Sequence, residues 1–507
     1  MTILLAIDIG TSSAKAVLFD AEKSRLVGTA AQEYPIDKPA PGRAEQHPDS
    51  WWEAVTAIVP QVLAKTGISA DRVRAIGLTG QMHGTVLLNA THQPVHPSII
   101  WADQRTADEV KTLIDWFGAE GYASLTGTLP ATGFMVASLL WLARHQPDIL
   151  EKSRHVILPK DYIRLKMTGE IGTDISDAAA TGVFDVANGR WAEAIITKMG
   201  IDGAIFPRVH GSADVAGRLT PQAAELLGLK AGIPVIAGCA DQPAQALTNG
   251  LISPGIASVT TGTGGQVFVP LALKSGEKLP TDPRLHVFNH AMPDRWYTLG
   301  AILSAGSALR WLRGVTGLAN TPDAYAILSA EAAQVNAGSD GLIFLPYLVG
   351  ERTPHMDPQA RGAFIGLSDY HGRGHLARAV MEGVTFALKQ TLDMSLSLAG
   401  KVETIIVSGG AVESNVWRGI QADVFGVPLH KTTQPEQTCV GAALLAGIGS
   451  GVYTDYESAV GRVAVQGHIT ESNRQNHARY SALYDHFIDL YPHLKPDFQR
   501  LTAFSLE

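Results

Sequence analysis

The 507-residue chain is poor in cysteine, in charge and in long apolar runs. Its two cysteines, Cys239 and Cys439, exclude a disulfide scaffold and a CxxC-type zinc site. Two inert core thiols are expected, with a single bridge as the alternative. Charged residues make up 17%, against roughly 25% in an average domain. Lys+Arg 40 against Asp+Glu 48 leaves a net charge of −8, which argues against a non-specific nucleic-acid binder. No window of ~18 apolar residues occurs, so no membrane span is expected. The start, MTILLAIDIGTSSAK, lacks a basic n-region, and Asp8 interrupts its apolar run. It does not read as a signal peptide, and a soluble cytoplasmic protein is expected. GxxxxGK[ST], HExxH and GxSxG are all missing; Gly400-Lys401 is followed by Val402.

What is present is ordinary hydrophobicity, 46%, and abundant glycine, 51 residues. Such a composition folds, and the glycine suggests many turns or close approaches of backbone to ligand. Short apolar runs alternate with helical patterns. The runs include ILLAIDIG (3–10), VRAIGLTG (73–80), HVILP (155–159), IPVIAG (233–238), IASVTTG (256–262), LIFLPYL (342–348) and ETIIVSGG (403–410). Helices are expected over 49–67, with Pro60 inside it, and over 136–152 and 375–400. This alternation predicts an α/β fold. IDIGTSSAKAVLFD (7–20) and VTTGTGGQVFVPLA (259–272) share an apolar run, Gly-Thr-small-small and a second apolar run. Both suit a tight strand–turn–strand hairpin. They lie half a chain apart, which suggests a duplicated two-domain protein with its seam within 238–255; the working boundaries are 1–245 and 246–507.

Three Gly-rich turns follow apolar runs directly: Asp8-Ile9-Gly10-Thr11-Ser12-Ser13, Thr261-Gly262-Thr263-Gly264-Gly265 and Ser408-Gly409-Gly410-Ala411. Glycine lets backbone N–H groups approach phosphate oxygens, and the neighbouring hydroxyls add donors. Asp8 is placed to hold Mg²⁺ through water. Lys15 is one short strand away, within reach of phosphate. Taken singly, each turn is equally an ordinary strand connection. The combination points to phosphate binding.

The order DIGTSSAK, GQMHG (80–84), WADQR (101–105), LPKDY (158–162), GCADQ (238–242), TGTGG, GERTPH (350–355) and SGGAVESNVW (408–417) resembles the FGGY family of carbohydrate kinases. GAFIGLSDYHGRGHLARAVME (362–382) resembles the family's C-terminal signature, so the likeness covers nearly the whole chain. It implies two ribonuclease-H-like domains of the actin/Hsp70/hexokinase type with an interdomain cleft, and ATP with Mg²⁺ as cofactors. Asp241 is then the general base, catalytic together with Asp8, and both carboxylates face the metal. A carboxylate in reach of the attacking hydroxyl accepts its proton. The other reading of Asp241 is a cap on the helix starting near Pro243. Gln81, Met82, His83 and Gln242 resemble sugar contacts, and Trp101, Asp103 and Arg105 form a second polar set; Arg105 is equally a surface ion pair. Gly10, Thr11, Ser12 and Lys15 correspond to a first phosphate loop, and Gly262, Thr263 and Gly264 to a second. Gly409, Gly410 and Asn415 correspond to the adenosine side. Gly306 is carried over with them; its alternative is a small-residue packing face.

Within the family, GQMHG, LPKDY and GERTPH are most similar to the branch acting on D-xylulose, and a homodimer is an expectation of the family. The sequence departs from the family pattern at Ser138, where Lys is common, and at Cys239-Ala240-Asp241-Gln242, where Gly-Gly-Asp-Asn is frequent. These departures keep other ketoses and polyols open: ribulose, a deoxy- or methyl-pentose, gluconate or glycerol. An ATP-binding switch and a non-catalytic sugar sensor are the rivals of a different class. His286 and His290, i,i+4 apart in a loop-like stretch, make a poor zinc site and are expected to be structural.

Overall fold

The computed structural model describes residues 1–273, 277–464 and 466–504. Two mixed sheets of the same topology carry the chain. In the first, Arg25–Glu33, Ser13–Asp20, Ile3–Ile9, Val73–Gly80 and Pro234–Ile236 lie side by side in that order, with Val215–Arg218 at the far edge. In the second, the corresponding order is Trp296–Ile302, Gly265–Leu271, Ile256–Thr261, Thr404–Ser408 and Leu429–Thr432, with His286–Asn289 and Gln466–Thr470 outside them. In both, the opening strand pairs antiparallel with the second and parallel with the fourth. The echo between 7–20 and 259–272 is therefore one hairpin used twice.

The opening strand is buried along its whole length, as a strand covered on both faces must be. One face is covered by the helix Pro48–Thr66. It turns Trp51, Val55, Ile58, Val59 and Val62 inward at helical spacing and ends at Gly67 in the left-handed region. The other face is covered by a helix from the far end of the chain, Gln437–Gly449. This helix is apolar all round, the pattern of an element buried on every side. Gly77 lets it approach: a Cβ there would stand 2.0 Å from the Ala442 carbonyl oxygen. The chain thus crosses from the first half to the second at 249–255, back at 433–436, and over once more before Gln466–Thr470, which joins the second sheet.

Residues 85–214 are inserted between the fourth and fifth strands of the first sheet; most of them build a core of their own around Leu113, Tyr122, Met135, Leu139 and Trp141, while the helix Pro159–Thr168 packs back on the first sheet. Two expectations need correction here. The helix expected over 136–152 is two, Met135–His145 and Pro147–Lys152. Pro147 forces Gln146 out of helical geometry (φ −143°, ψ 56°). The stretch around His286, expected to be loop-like, is the edge strand His286–Asn289, paired antiparallel with Trp296–Ile302. Among the described residues no helix is long and apolar enough to cross a membrane. Cys239 and Cys439 are both free and buried.

Candidate active site

Three strands of the first sheet end together. Asp8 pairs in register with Thr79, Ile9 with Gly80, and on the other side Ala240 with Gly80. Asp8, Gln81 and Asp241 are thereby gathered at the carboxyl ends of neighbouring parallel strands, where open α/β sheets bind ligands. Ala240 occupies the cap position of the helix Asp241–Thr248 without a side-chain capping bond, so Asp241 is not the cap. Its Oδ1 is buried with no hydrogen-bond partner. Burial, reinforced by the negative charge of Asp8, pushes its pKa up to about 7, with the amides of Gln242 pulling the other way. A carboxylate poised there can take up a proton near neutral pH.

Asp8 is also raised by burial, and it accepts a hydrogen bond from Thr438 Oγ1 at 2.6 Å. Its Oδ1 has no partner. The Lys15 ammonium lies 2.8 Å from Glu436 Oε2. Glu436 and Thr438 flank the start of the helix Gln437–Gly449, so one short segment holds both side chains of the first hairpin. Between them Gln437 contacts Gln245 at 2.9 Å and Asn249 at 3.0 Å.

The first Gly-rich turn is braced from three sides. Tyr34 donates to the Gly10 carbonyl (2.5 Å), Gln46 Nε2 to the Thr11 carbonyl (2.8 Å), and Trp101 Nε1 to Thr11 Oγ1 (2.8 Å). Ser12 closes the turn by accepting from the Tyr34 N–H. Gln81 Nε2 donates to Gln46 Oε1 at 2.9 Å, leaving Gln81 Oε1 buried and unpartnered. Asp103 and Arg105 form a buried ion pair at 2.7 Å, which also engages Glu45 and the Ala44 N–H. The pair is internal rather than on the surface, and it fixes the segment that carries Gln46. Met82 packs against Ala240 and Phe288 in the apolar cluster between the halves. His83 has φ +72° and stacks on Phe134 with ring centroids 4.0 Å apart. Its Nδ1 lies 2.5 Å from the Ala180 carbonyl oxygen, so Nδ1 carries the proton and Nε2 is left as an acceptor. Burial pushes its pKa down to about 4.

The second and third turns open on a cavity of about 820 Å³ in the second half. Gly262, Thr263, Gly306, Gly410 and Asn415 line it; Gly264 and Gly409, also expected there, do not. Gly306 serves both readings made of it. It lines the cavity, and it packs so closely that a Cβ would stand 2.5 Å from the Gly262 carbonyl oxygen. Asn415 Oδ1 accepts from Arg418 at 2.6 Å. The volume suits a nucleoside. Arg310, Tyr325, Ser329 and Trp417 also line it and were not among the site residues expected from sequence.

Behind Asp241 lies a fully buried ion cluster. Lys160 Nζ is 2.8 Å from both Asp161 and Asp174 and 3.1 Å from Asp177. Arg164 joins through Asp161 at 2.8 Å. Ser176 Oγ, bonded to Asp174, accepts from the Ala240 N–H at 3.1 Å. The LPKDY motif thus braces the strand that presents Asp241, a role its sequence does not announce.

Duplicated sheets, facing carboxylates at one set of strand ends and a nucleoside-sized cavity beside hydroxyl-bearing turns define a two-domain phosphotransferase. The family model for the N-terminal domain of the FGGY family of carbohydrate kinases matches residues 3–248, and that for the C-terminal domain matches 257–450. The xylulose kinase of Escherichia coli (strain K12) is 35% identical, covering 97% of this chain and 99% of its own. That of Lactococcus lactis subsp. lactis (strain IL1403) is 34% identical over the full length of both. The crystal structure of xylulose kinase from Rhodospirillum rubrum superimposes with a TM-score of 0.92 at 33% identity, covering 98% of this chain and 100% of that one. The chain belongs to the FGGY family of carbohydrate kinases and is an ATP-dependent sugar kinase.

Proposed function

We propose that this enzyme transfers the γ-phosphoryl group of ATP to the primary 5-hydroxyl of D-xylulose. Full-length similarity to xylulose kinases supports the sugar. The observation that carries the chemistry is Asp241: a carboxylate with a buried, unpartnered Oδ1 and a pKa near neutral, beside Asp8 and a wall made of Gln81, Met82 and His83. The sugar's hydroxyls donate to Gln81 Oε1 and His83 Nε2, and its carbon face lies on Met82. Asp241 accepts the proton of the 5-hydroxyl as the phosphoryl group leaves ADP. Transfer passes through a loose transition state, so alignment and charge neutralisation dominate. Adenosine occupies the 820 Å³ cavity, with the phosphates running between the Gly10–Ser12 and Gly262–Thr263 turns. The unpartnered oxygens of Asp8 and Asp241 suit a hydrated Mg²⁺ carried in with ATP. When bound, that ion neutralises charge on the phosphates. We read residues 1–245 as the sugar-binding domain and 246–507 as the nucleotide-binding domain.

The test is ADP release with Mg²⁺-ATP across ketopentoses, aldopentoses, polyols, gluconate and glycerol, with Asp241→Asn alongside. Turnover fastest on D-xylulose and abolished in the variant is expected. A different best sugar overturns the substrate, and full activity of Asp241→Asn overturns the base.

A further inference from the structure

Lys160, Arg164 and the aspartates Asp161, Asp174 and Asp177 are buried together behind Asp241. A buried ion cluster is often no more stabilising than apolar residues of the same volume. What it supplies is direction, because each contact holds one donor to one acceptor. The place it holds is the strand end that carries Asp241. Arg164 donates to the Ala237 carbonyl at 3.1 Å, and the Gly238 N–H donates to the Ser212 carbonyl at 3.0 Å. At the residue next to Asp241 the contact is made by a side chain: the Ala240 N–H donates to Ser176 Oγ at 3.1 Å.

Ser176 can serve that N–H because its own proton is committed elsewhere. Its hydroxyl donates to Asp174 Oδ2 at 2.6 Å, which leaves the oxygen lone pairs to accept from Ala240. Asp174 is itself fixed. Its Oδ2 also accepts from the Ser176 N–H at 2.9 Å and from Ser212 Oγ at 2.7 Å, and its Oδ1 lies 2.8 Å from Lys160 Nζ. The bond from the Ser176 N–H is enough to cap the helix Ile175–Ala179, so the hydroxyl bond is additional to capping. At the receiving end, Ala240 makes no side-chain capping bond to the helix it precedes. Asp241 Oδ1 has no hydrogen-bond partner. The direction in which Asp241 enters the site is therefore inherited from the backbone at Ala240.

We propose that Ser176 is a positioning residue for the base: its hydroxyl ties the Ala240 N–H to Asp174 and Lys160, and so sets the place of the Asp241 carboxylate against the attacking hydroxyl. Ser176 is fully buried and acts through Ala240, not on the sugar. It stands in TDISDAAAT (173–181), a segment that carries none of the site residues expected from sequence. A reacting group displaced by about 1 Å loses on the order of a hundred-fold in rate, so a single bond of this kind is visible in turnover. This inference rests on the reading of Asp241 as the base and names what holds that base in place.

The experiment compares Ser176→Ala with Ser212→Ala, using Mg²⁺-ATP and the sugar on which the wild type turns over fastest. Both variants take one hydroxyl donor from the same oxygen of Asp174, and both leave it Lys160 and the N–H of position 176. Only Ser176→Ala cuts the link to Ala240, since the Ser212 carbonyl that holds Gly238 is backbone. Ser176→Ala is expected to lower kcat about ten- to hundred-fold, with KM for sugar and for ATP within about twofold. Ser212→Ala is expected to lower Tm by a similar amount and to keep kcat within about twofold. In the Asp241→Asn background, read under single turnover with enzyme in excess, Ser176→Ala adds no further loss, because the group it positions is gone. Unchanged kcat in Ser176→Ala, an equal loss in Ser212→Ala, or a full further loss in the Asp241→Asn background overturns the proposal. If Ser176→Ala does not fold, Ser176→Cys keeps the volume with a weak sulfur acceptor and is read in the same way. Full activity of Asp241→Asn overturns the base and this inference with it. Loss in Asp241→Asn with none in Ser176→Ala overturns this inference alone.

Discussion

Thr438 donates its hydroxyl to Asp8 Oδ2 at 2.6 Å, although 430 positions of chain separate them. The contact exists because the helix Gln437–Gly449 leaves the second half and lies on the first sheet. Among the described residues it is the side-chain donor to Asp8, and it leaves Oδ1 without a hydrogen-bond partner. Thr438→Val removes the donor with little change of volume. A bond to a charged acceptor is worth about 1.5–3 kcal/mol, so a fall of about ten- to hundred-fold in kcat is expected. Thr438→Ser restores most of it. Steady-state kinetics of the two variants decide the matter; equal activity of Val and Ser would leave the hydroxyl without a role.

Asp241 gives the reaction a pH dependence whose sign can be worked out. Its pKa of about 7 means that the base is half protonated near neutrality and ionised above it. The rate constant kcat/KM for the sugar therefore rises through pH 7 to a plateau. Asp8 contributes to the raised value, so Asp8→Asn, where residual turnover is measurable, moves the limb to lower pH. Stability runs the other way. Between the ordinary carboxylate range and pH 7 the folded state binds more protons than the unfolded chain, so stability falls as pH rises through that window. Asp241→Asn removes this penalty, and its Tm is expected to exceed that of wild type at pH 8 but not at pH 4.5. Parallel melting curves at the two pH values test it.

Much of this was legible along the chain, for local reasons. Apolar runs that end in Gly-Thr announce strands that turn at once, and both hairpins lie where those runs fall. Asp241 was singled out by the family resemblance, with its place after an apolar strand in support. Other features depend on approaches that sequence spacing does not encode. The helix Gln437–Gly449 was not among the helices expected from sequence, and nothing in its apolar run says that the first sheet buries it. Trp101 and Arg105 read as ligand contacts, yet Trp101 braces Thr11 and Arg105 is tied to Asp103 and Glu45. Lys15 reads as a free cation, yet Glu436 is 2.8 Å away.

The close approach at Gly77 makes a stability prediction. A Cβ would stand 2.0 Å from the Ala442 carbonyl oxygen and 2.6 Å from its carbon, both backbone atoms of a buried helix. Backbone cannot swing aside as a flexible side chain can. Gly77→Ala must push the helix Gln437–Gly449 away from the first sheet, and overpacking of this kind costs about 1–3 kcal/mol or more. Because Thr438 and Glu436 ride on the same helix, activity should fall together with Tm. Thermal unfolding of Gly77→Ala with an activity assay well below its Tm checks both. A Tm within one degree of wild type would contradict the packing described.

A substitution at Gly410 tests the proposed nucleotide cavity apart from the proposed sugar contacts. It lines the 820 Å³ cavity, and a Cβ built on it meets nothing within 4 Å. Its φ is not positive, so a side chain is tolerated by the backbone. Gly410→Phe therefore folds but fills the space assigned to adenosine. KM for ATP is expected to rise at least about ten-fold, the equivalent of ~1.4 kcal/mol of lost binding. Sugar affinity, measured calorimetrically without nucleotide, should stay within about twofold, because Gln81, His83 and Asp241 lie on the other half. A variant whose sugar affinity falls while its KM for ATP is unchanged would show that the cavity does not hold the nucleotide.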